Sequence, residues 1–282
     1  MPQAHPTKKA PAMSSSPDRP VALDCDAHLA RIRIQRPDKR NAMTSEMWRE
    51  LAAAVGSLAG REVRALAISG SGAHFSAGAD IAELKTQLER PSELLANAQL
   101  VQQVQKMVEG LDLPSVALIQ GACVGGGVGL ALCCDLRLAT SDARFALTPV
   151  KLGLHYSLAD TRRLAAVIGP ARAREMLLTA RMVDAETALE WGLINRIVDD
   201  AEALEAAGQA LCESWVQASP DGLAATKRVL GALDGSRALD EEILNRQFLG
   251  AFSGPDFQEG ASAFLDKRAP DFGVGKNKED SA

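Results

Sequence analysis

Two stretches of this chain place glycine and small residues where a backbone could do chemistry. One is HFSAGAD at 74–80. The other is GACVGGGVG at 121–129, with five glycines in nine residues. Glycine loses more backbone entropy on folding than any other residue, so a run such as Gly125-Gly126-Gly127 marks close approach of the backbone to something else. At the mouth of a helix, free N–H groups can receive an anionic or developing-anion atom. Both stretches follow apolar, strand-like runs, so in a parallel sheet they share the edge at which ligands bind. Two N–H groups converging there form an oxyanion hole, suited to a carbonyl that becomes an enolate or a tetrahedral alkoxide. The competing reading is a tight buried turn where two elements touch.

Better-known glycine motifs fail on spacing. A dinucleotide fingerprint on Gly125 and Gly127 requires glycine at 130, which is Leu130. A P-loop on Gly121 and Gly126 requires Lys and Ser or Thr where Gly127 and Val128 stand. Gly70-Ser71-Gly72 is no nucleophile elbow.

The elements that must position these loops read as follows. Residues 30–35 alternate as a strand, ended by Pro37. Thr44 caps a helix carrying Met47, Leu51, Val55 and Leu58 at helical spacing. Residues 63–69 form the strand before the first loop. An amphipathic helix follows, with Leu94, Leu95, Ala98, Val101, Val104, Met107 and Val108 on its apolar stripe. Strand 116–119 leads into the second loop and a small-residue helix, and strands follow at 136–139 and 145–147. Helices are expected near 162–168, 171–180, 185–191, 200–218, 221–233, 238–252 and 256–267, with a short apolar run at 194–198. Strands alternating with helices up to about residue 160, then a helical third, predict an α/β core with a helical appendage. Residues 1–20, rich in Pro, Ser, Ala and Lys, read as a disordered tail. The core spans 21–200 and the helical C-terminal region 201–282, with its last residues after Phe272 mobile.

Composition narrows the partners. A net charge of −5 removes any global case for nucleic acid or anionic membrane. No apolar run approaches the roughly 18–20 residues needed to span a bilayer. Residues 1–20 lack the apolar core of a secretory signal, so the cytoplasm is the expected location. Five cysteines without a CxxC pair point to free buried thiols, with Cys133-Cys134 read as core packing. Four scattered histidines hold no helical i, i+4 pair, so no metal site is expected.

Six segments in order resemble the crotonase (enoyl-CoA hydratase/isomerase) superfamily. They are RPDKRNAM at 36–43, FSAGADI at 75–81, GGG at 125–127, CDLRLA at 134–139, ALEWGLI at 188–194 and EGASAFLDKRAP at 259–270. The resemblance spans about residues 21–272. It implies a crotonase-like spiral of ββα units with a helical C-terminal trimerisation region, in a homotrimer or a dimer of trimers. It further implies an acyl-CoA substrate, with coenzyme A present as part of the thioester and no permanently bound cofactor. By motif position, the oxyanion donors would be the backbone N–H groups of Ala79 and Gly126, with Gly125 and Gly127 letting the backbone approach the thioester. Lys39, Arg40 and Ala42 would line the adenine and 3′-phosphate end, and Ala77, Asp80 and Ile81 would also bind coenzyme A. Phe264 and Lys267 would close over coenzyme A, in some members from a neighbouring subunit.

The resemblance departs at the acid/base positions. Hydratases of the superfamily use two glutamates, and the matching positions here are Gly129 and Pro149, or Val150 on a one-residue shift. Neither glycine nor proline moves a proton, so the chemistry must come from the polar segment 153–160. Residues 148–156 resemble members that decarboxylate methylmalonyl-CoA, where a tyrosine at the Tyr156 position faces the acyl group; a tyrosine can donate a proton to an enolate. Dienoyl-CoA isomerases place a catalytic aspartate near Ser157, three residues before Asp160. Against these stand structural roles: Tyr156 as a pocket wall, Asp160 as the N-cap of a helix starting at Thr161, His74 and His155 as loop or surface residues, and Asp80 as a loop-bracing side chain. The expected activity is acyl-CoA processing of the hydratase/isomerase type through a thioester enolate. The alternatives are a decarboxylase or other lyase using Tyr156, and a non-catalytic acyl-CoA-binding homologue.

Overall fold

The computed structural model describes residues 19–273; the N-terminal tail before them and the residues after 273 lie outside this range. The chain opens on a hairpin, β1 (Val21–Asp26) and β2 (Leu29–Ile34), turned at Ala27. Then come α1 (Ser45–Gly56), β3 (Ala65–Gly70), α2 (Ile81–Gln87) and α3 (Pro91–Glu109). The middle holds β4 (Ser115–Ile119), β5 (Ala122–Val124), α4 (Gly126–Leu132), β6 (Leu136–Thr140) and β7 (Arg144–Ala146). It continues through α5 (Leu158–Thr179), β8 (Val183–Asp184), α6 (Ala185–Glu190) and β9 (Arg196–Val198). Four helices end the described chain: α7 (Ala201–Val216), α8 (Pro220–Leu233), α9 (Glu241–Ala251) and α10 (Pro255–Leu265).

Six strands form one sheet in the order β1-β2-β3-β4-β6-β9, parallel everywhere except at the β1–β2 hairpin. A smaller sheet stacks β5-β7-β8. The chain climbs between the sheets by repeating one unit: a strand of the large sheet, a short strand of the small one, then a helix. β4-β5-α4 and β6-β7-α5 are complete turns of this spiral. The turn after β3 reaches the small sheet through the Ser76–Cys123 bridge. The expected α/β spiral of ββα units, with a helical C-terminal region, is therefore the fold of the chain.

Strands covered on both faces read as continuous apolar runs, and β4 is buried along its whole length. On one face Ile32, Ile34, Leu66, Ile68 and Ile119 join Leu51 of α1, Val104 and Val108 of α3, and Leu130 of α4 in the main core. On the other, Val116, Leu118 and Leu138 meet Leu204 and Cys212 of α7. Although sequence reading groups α7 with the C-terminal region, it packs as the outer layer of the sheet.

Three local expectations change. The second glycine stretch is not one loop, because 122–124 forms β5 between β4 and α4. The helices expected at 162–168 and 171–180 do stand on either side of a break at Gly169 (φ 77°) before Pro170, but the first starts four residues earlier, at Leu158. Its N-cap is Ser157, whose hydroxyl oxygen accepts from Asp160 N at 3.0 Å, so Asp160 lies inside the first turn instead of capping it.

Candidate active site

The two glycine loops do meet at the C-terminal edge of β3 and β4. They are zipped together by backbone: Phe75 N donates to Gln120 O at 2.8 Å, Ser76 N to Ala122 O at 3.0 Å, and Val124 N to Ser76 O at 2.9 Å. This places Gly78 against the start of α4. An ideal Cβ on Gly78 (φ 93°) would lie 2.9 Å from Val124 O and 3.7 Å from Gly126 N, so a larger residue there would drive the loops apart. Among the described residues, neither the Ala79 nor the Gly126 N–H donates to a protein acceptor. Ala79 is exposed, and Gly126 opens α4 against Trp48.

Gly127 serves a different end from the one expected. Its ideal Cβ would lie 2.8 Å from Ser76 O and 3.0 Å from Ser76 Cβ. Its missing side chain lets α4 seat on the first loop.

The segment expected at the adenine end lies alongside the first loop. Ala77 N donates to Arg40 O at 2.9 Å, Met43 N to Gly78 O at 2.7 Å, and Asp80 N to Met43 O at 3.0 Å. Lys39 and Arg40 are exposed beside Ala42 and Ala77, and Ile81 begins α2 with its side chain exposed. Asp80 is buried; it caps α2 by accepting from Glu83 N at 2.8 Å and pairs with Arg36 at 2.5 Å. The Glu83 N–H, and then Arg36, hold its carboxyl below the ordinary value against the opposing effect of burial. The bracing role read from the sequence is the geometry seen.

The hub of this arrangement is Asn41, which no chemical pattern singles out. It is fully buried in the left-handed region (φ 55°), tolerated because asparagine bonds locally. Its amide oxygen accepts from Arg36 N at 2.8 Å, while Nδ2 donates to Ser71 O at 2.9 Å and His74 O at 2.6 Å. Its carbonyl receives the Ser76 hydroxyl at 2.9 Å. His74, half-buried, accepts from Ala122 N through Nδ1 at 3.1 Å and joins the two loops; His155 is exposed.

Below α4, a polar cluster gathers at the position that lacks a carboxylate. An ideal Cβ on Gly129 would lie 2.4 Å from Gln105 Nε2, 3.3 Å from Asp160 Oδ1 and 3.4 Å from the Tyr156 hydroxyl. Gln105 of α3 therefore fills the space a side chain at 129 would enter. Asp160 is buried, taking Arg163 Nη1 at 3.0 Å on one oxygen and the Ser157 hydroxyl at 2.7 Å on the other. Arg163 also makes a two-pronged contact with Glu109, at 2.7 and 3.0 Å. Tyr156 is partly buried, and its hydroxyl donates to Gly125 O at 2.6 Å. Burial first, and the Asp160 charge next, push that hydroxyl well above its ordinary pKa. The sequence signal for Gln105 is slight: a polar residue at i+4 from Val101 and i−3 from Val108, inside the apolar stripe of α3.

Phe264 and Lys267 are not brought to this site. Arg64, immediately before β3, donates to Phe272 O, and Phe272 packs near Gly260 of α10. α10 is thus moored at the N-terminal edge of β3, the edge opposite the loops. Phe264 is 83% exposed there.

Comparison with known proteins agrees with this architecture. The family described as Enoyl-CoA hydratase/isomerase matches residues 24–275. The chain is 31% identical to crotonyl-CoA hydratase of Syntrophomonas wolfei, over 89% of this chain and 97% of that protein. It is 30% identical to the mitochondrial Delta(3,5)-Delta(2,4)-dienoyl-CoA isomerase of Dictyostelium discoideum, over 86% and 87% of the two chains. A crystal structure of an enoyl-CoA hydratase/isomerase family protein from Hyphomonas neptunium superposes with a TM-score of 0.85 at 38% identity, covering 91% of this chain and 98% of that one.

Proposed function

The chain belongs to the enoyl-CoA hydratase/isomerase family, and from that premise we propose that it polarises an acyl-CoA thioester carbonyl between the Ala79 and Gly126 N–H groups and reacts through the resulting enolate. That the protein is an acyl-CoA-processing enzyme of the hydratase/isomerase type follows from its relatives. The observation that carries the finer reading is the pair of unspent backbone donors on two loops zipped side by side. An enolate places charge on the thioester oxygen, and each preorganised donor aimed at that oxygen is worth about 2.7–4 kcal/mol in the transition state.

In this reading exposed Lys39 and Arg40 meet the phosphate-bearing end of coenzyme A. Ala42, Ala77 and Ile81 flank its path, and Asp80 holds the segment in place. Gln105 in the space beside Gly129 argues against water addition by paired carboxylates at 129 and 149. Asp160, the carboxylate beside that space, is assigned to proton transfer. The decarboxylase alternative has Tyr156 face the acyl group, whereas here its hydroxyl donates to Gly125 O, which favours the enolate reading without Tyr156 as acid. Phe264 and Lys267 are assigned to a neighbouring subunit's site, in a homotrimer or dimer of trimers.

The test exploits the position of Gly126 as the first residue of α4, where proline is tolerated. Gly126→Pro deletes the N–H, whereas Gly126→Ala keeps it and puts a methyl in ordinary contact with Trp48 at 3.5 Å. Enone absorbance with crotonyl-CoA, conjugated-diene absorbance with a 3,5-dienoyl-CoA, and CO2 release from methylmalonyl-CoA identify the reaction. On the responding substrate, kcat should fall about 10²–10³-fold in Gly126→Pro and only a few-fold in Gly126→Ala. Equal activity in both variants would refute the assignment of Gly126. Coenzyme A binding by thermal shift, without turnover of any thioester, would instead favour a binding homologue.

A further inference from the structure

The Gly126 N–H must aim at one spot, yet the peptide that carries it is weakly restrained by its own residues. It joins two glycines, and Gly125 (φ 53°, ψ −114°) has nothing within 4 Å of where its Cβ would be. That backbone conformation is open essentially to glycine alone, and the peptide can swing about the bonds on either side. In a planar trans peptide the C=O and N–H point in opposite directions. Whatever grips the Gly125 oxygen therefore aims the Gly126 N–H.

Two donors grip it. One is Gly129 N at 3.1 Å, the ordinary opening bond of α4. The other is the Tyr156 hydroxyl at 2.6 Å, reaching across 31 residues of sequence. The second is shorter and comes from a different element, the segment leading into α5. Together they occupy both lone pairs of the carbonyl.

We propose that Tyr156 is a positioning residue of the oxyanion hole: by holding the Gly125 carbonyl it fixes the direction of the Gly126 N–H and strengthens it as a donor. The inference rests on the reading of Gly126 as an oxyanion donor. The strengthening follows from bond cooperativity, since a hydrogen bond to an amide oxygen polarises the whole amide. Burial keeps the hydroxyl protonated, so it stays a donor.

The test reads carbonyl polarisation directly. 4-(Dimethylamino)cinnamoyl-CoA is a chromophoric thioester whose absorbance moves to the red when its carbonyl accepts strong hydrogen bonds. Bound to the native enzyme it should show that shift. Tyr156→Phe removes only the hydroxyl. It should lose most of the shift and about ten- to a hundred-fold in kcat, less than deletion of the donor itself, while KM and the affinity for free coenzyme A stay within about two-fold. Tyr156 is the chain's sole tyrosine, so protein grown on 3-fluorotyrosine is altered at this position alone and needs no packing change. Its more acidic phenol is a stronger donor and should move the bound probe further to the red.

A shift unchanged in both Tyr156→Phe and the fluorinated protein overturns the proposal, as does a kcat loss with the shift intact, which marks a proton donor. If Tyr156→Phe does not fold, the fluorinated protein decides alone. Absence of any shift in the native enzyme would sink the oxyanion reading itself, a result distinct from failure of the Tyr156 role.

Discussion

A methyl group added at Gly127 would meet the carbonyl oxygen of Ser76 at 2.8 Å, and one added at Gly129 would meet the amide nitrogen of Gln105 at 2.4 Å. The second approach is closer, but what it meets is the free end of a flexible side chain, whereas the first meets backbone bonded on both sides. Gly127→Ala should therefore destabilise by about 1–3 kcal/mol through overpacking. Gly129→Ala should come out within about 1 kcal/mol of native, because a helix-propensity gain of about 1 kcal/mol offsets moving Gln105. Urea unfolding of the two variants checks the order, and a larger loss at Gly129 would show that Gln105 is rigidly held. For Asp160, removing the charge should separate chemistry from binding. Asp160→Asn is expected to lower kcat by about 10²–10⁴-fold, the usual range for acid/base groups, with coenzyme A affinity unchanged in thermal-shift titration. Full activity in Asp160→Asn would remove it from the proton path.

α2 is the element least expected from the sequence, yet its start decides how the first loop is aimed. Asp80 caps it one residue after Ala79, ties back to Arg36, and so couples the helix, the loop and the 36–43 turn. Its carboxyl lies below the ordinary value of 3.8 in the folded chain. The unfolded chain therefore takes up this proton at higher pH than the folded one. The contribution of Asp80 is fully present above about pH 4 and is lost as pH falls through the depressed folded value. Asp80→Asn keeps a capping oxygen but loses the charge. It should lower stability at pH 7 by about 0.5–2 kcal/mol and converge on native stability near pH 2, as followed by denaturant melts across that range. An equal deficit at pH 2 and pH 7 would assign the loss to packing. By contrast, α1 was readable in advance from Thr44, whose side chain accepts from Met47 N. The start of α5 is ambiguous in sequence because Ser157 and Asp160 are both good capping types, three residues apart.

At the scale of the molecule, the described chain ends in helices with too much apolar surface uncovered. Phe248, Phe252 and Phe257 stack edge to face at 5.4 Å spacings and remain half or more exposed, with Leu249, Phe264 and Leu265 also exposed. A contiguous apolar surface of this kind marks an interaction site, in keeping with the proposed trimer. The native protein should sediment as a trimer or hexamer. Replacing both Phe248 and Phe252 with Glu should shift it to monomers with the α/β core still folded by circular dichroism. A native monomer at micromolar concentration would contradict the assignment of Phe264 and Lys267 to a neighbour's site.

The sequence by itself determined an α/β core with two glycine loops at one sheet edge, because both are written locally; the spiral of ββα units followed from the chain's resemblance to the crotonase superfamily. Period-two and buried apolar runs mark strands such as 30–35 and 116–119, and glycines stand where a backbone must come close. Ala79 and Gly126 are named as the proposed donors by motif position in that resemblance. The missing carboxylate at Gly129 was equally plain. What fills its place was not, because Gln105 comes from α3 while Tyr156 and Asp160 come from the start of α5, and they meet only when α3 and α5 pack around α4. The same holds for the Tyr156–Gly125 bond and for the Asn41 side-chain amide nitrogen, whose partners lie 30 or more residues away. A side chain's type states which bonds it can make; tertiary packing decides which partner is within 3 Å. That is why Tyr156 reads as a proton donor in sequence and, once folded, grips a backbone carbonyl.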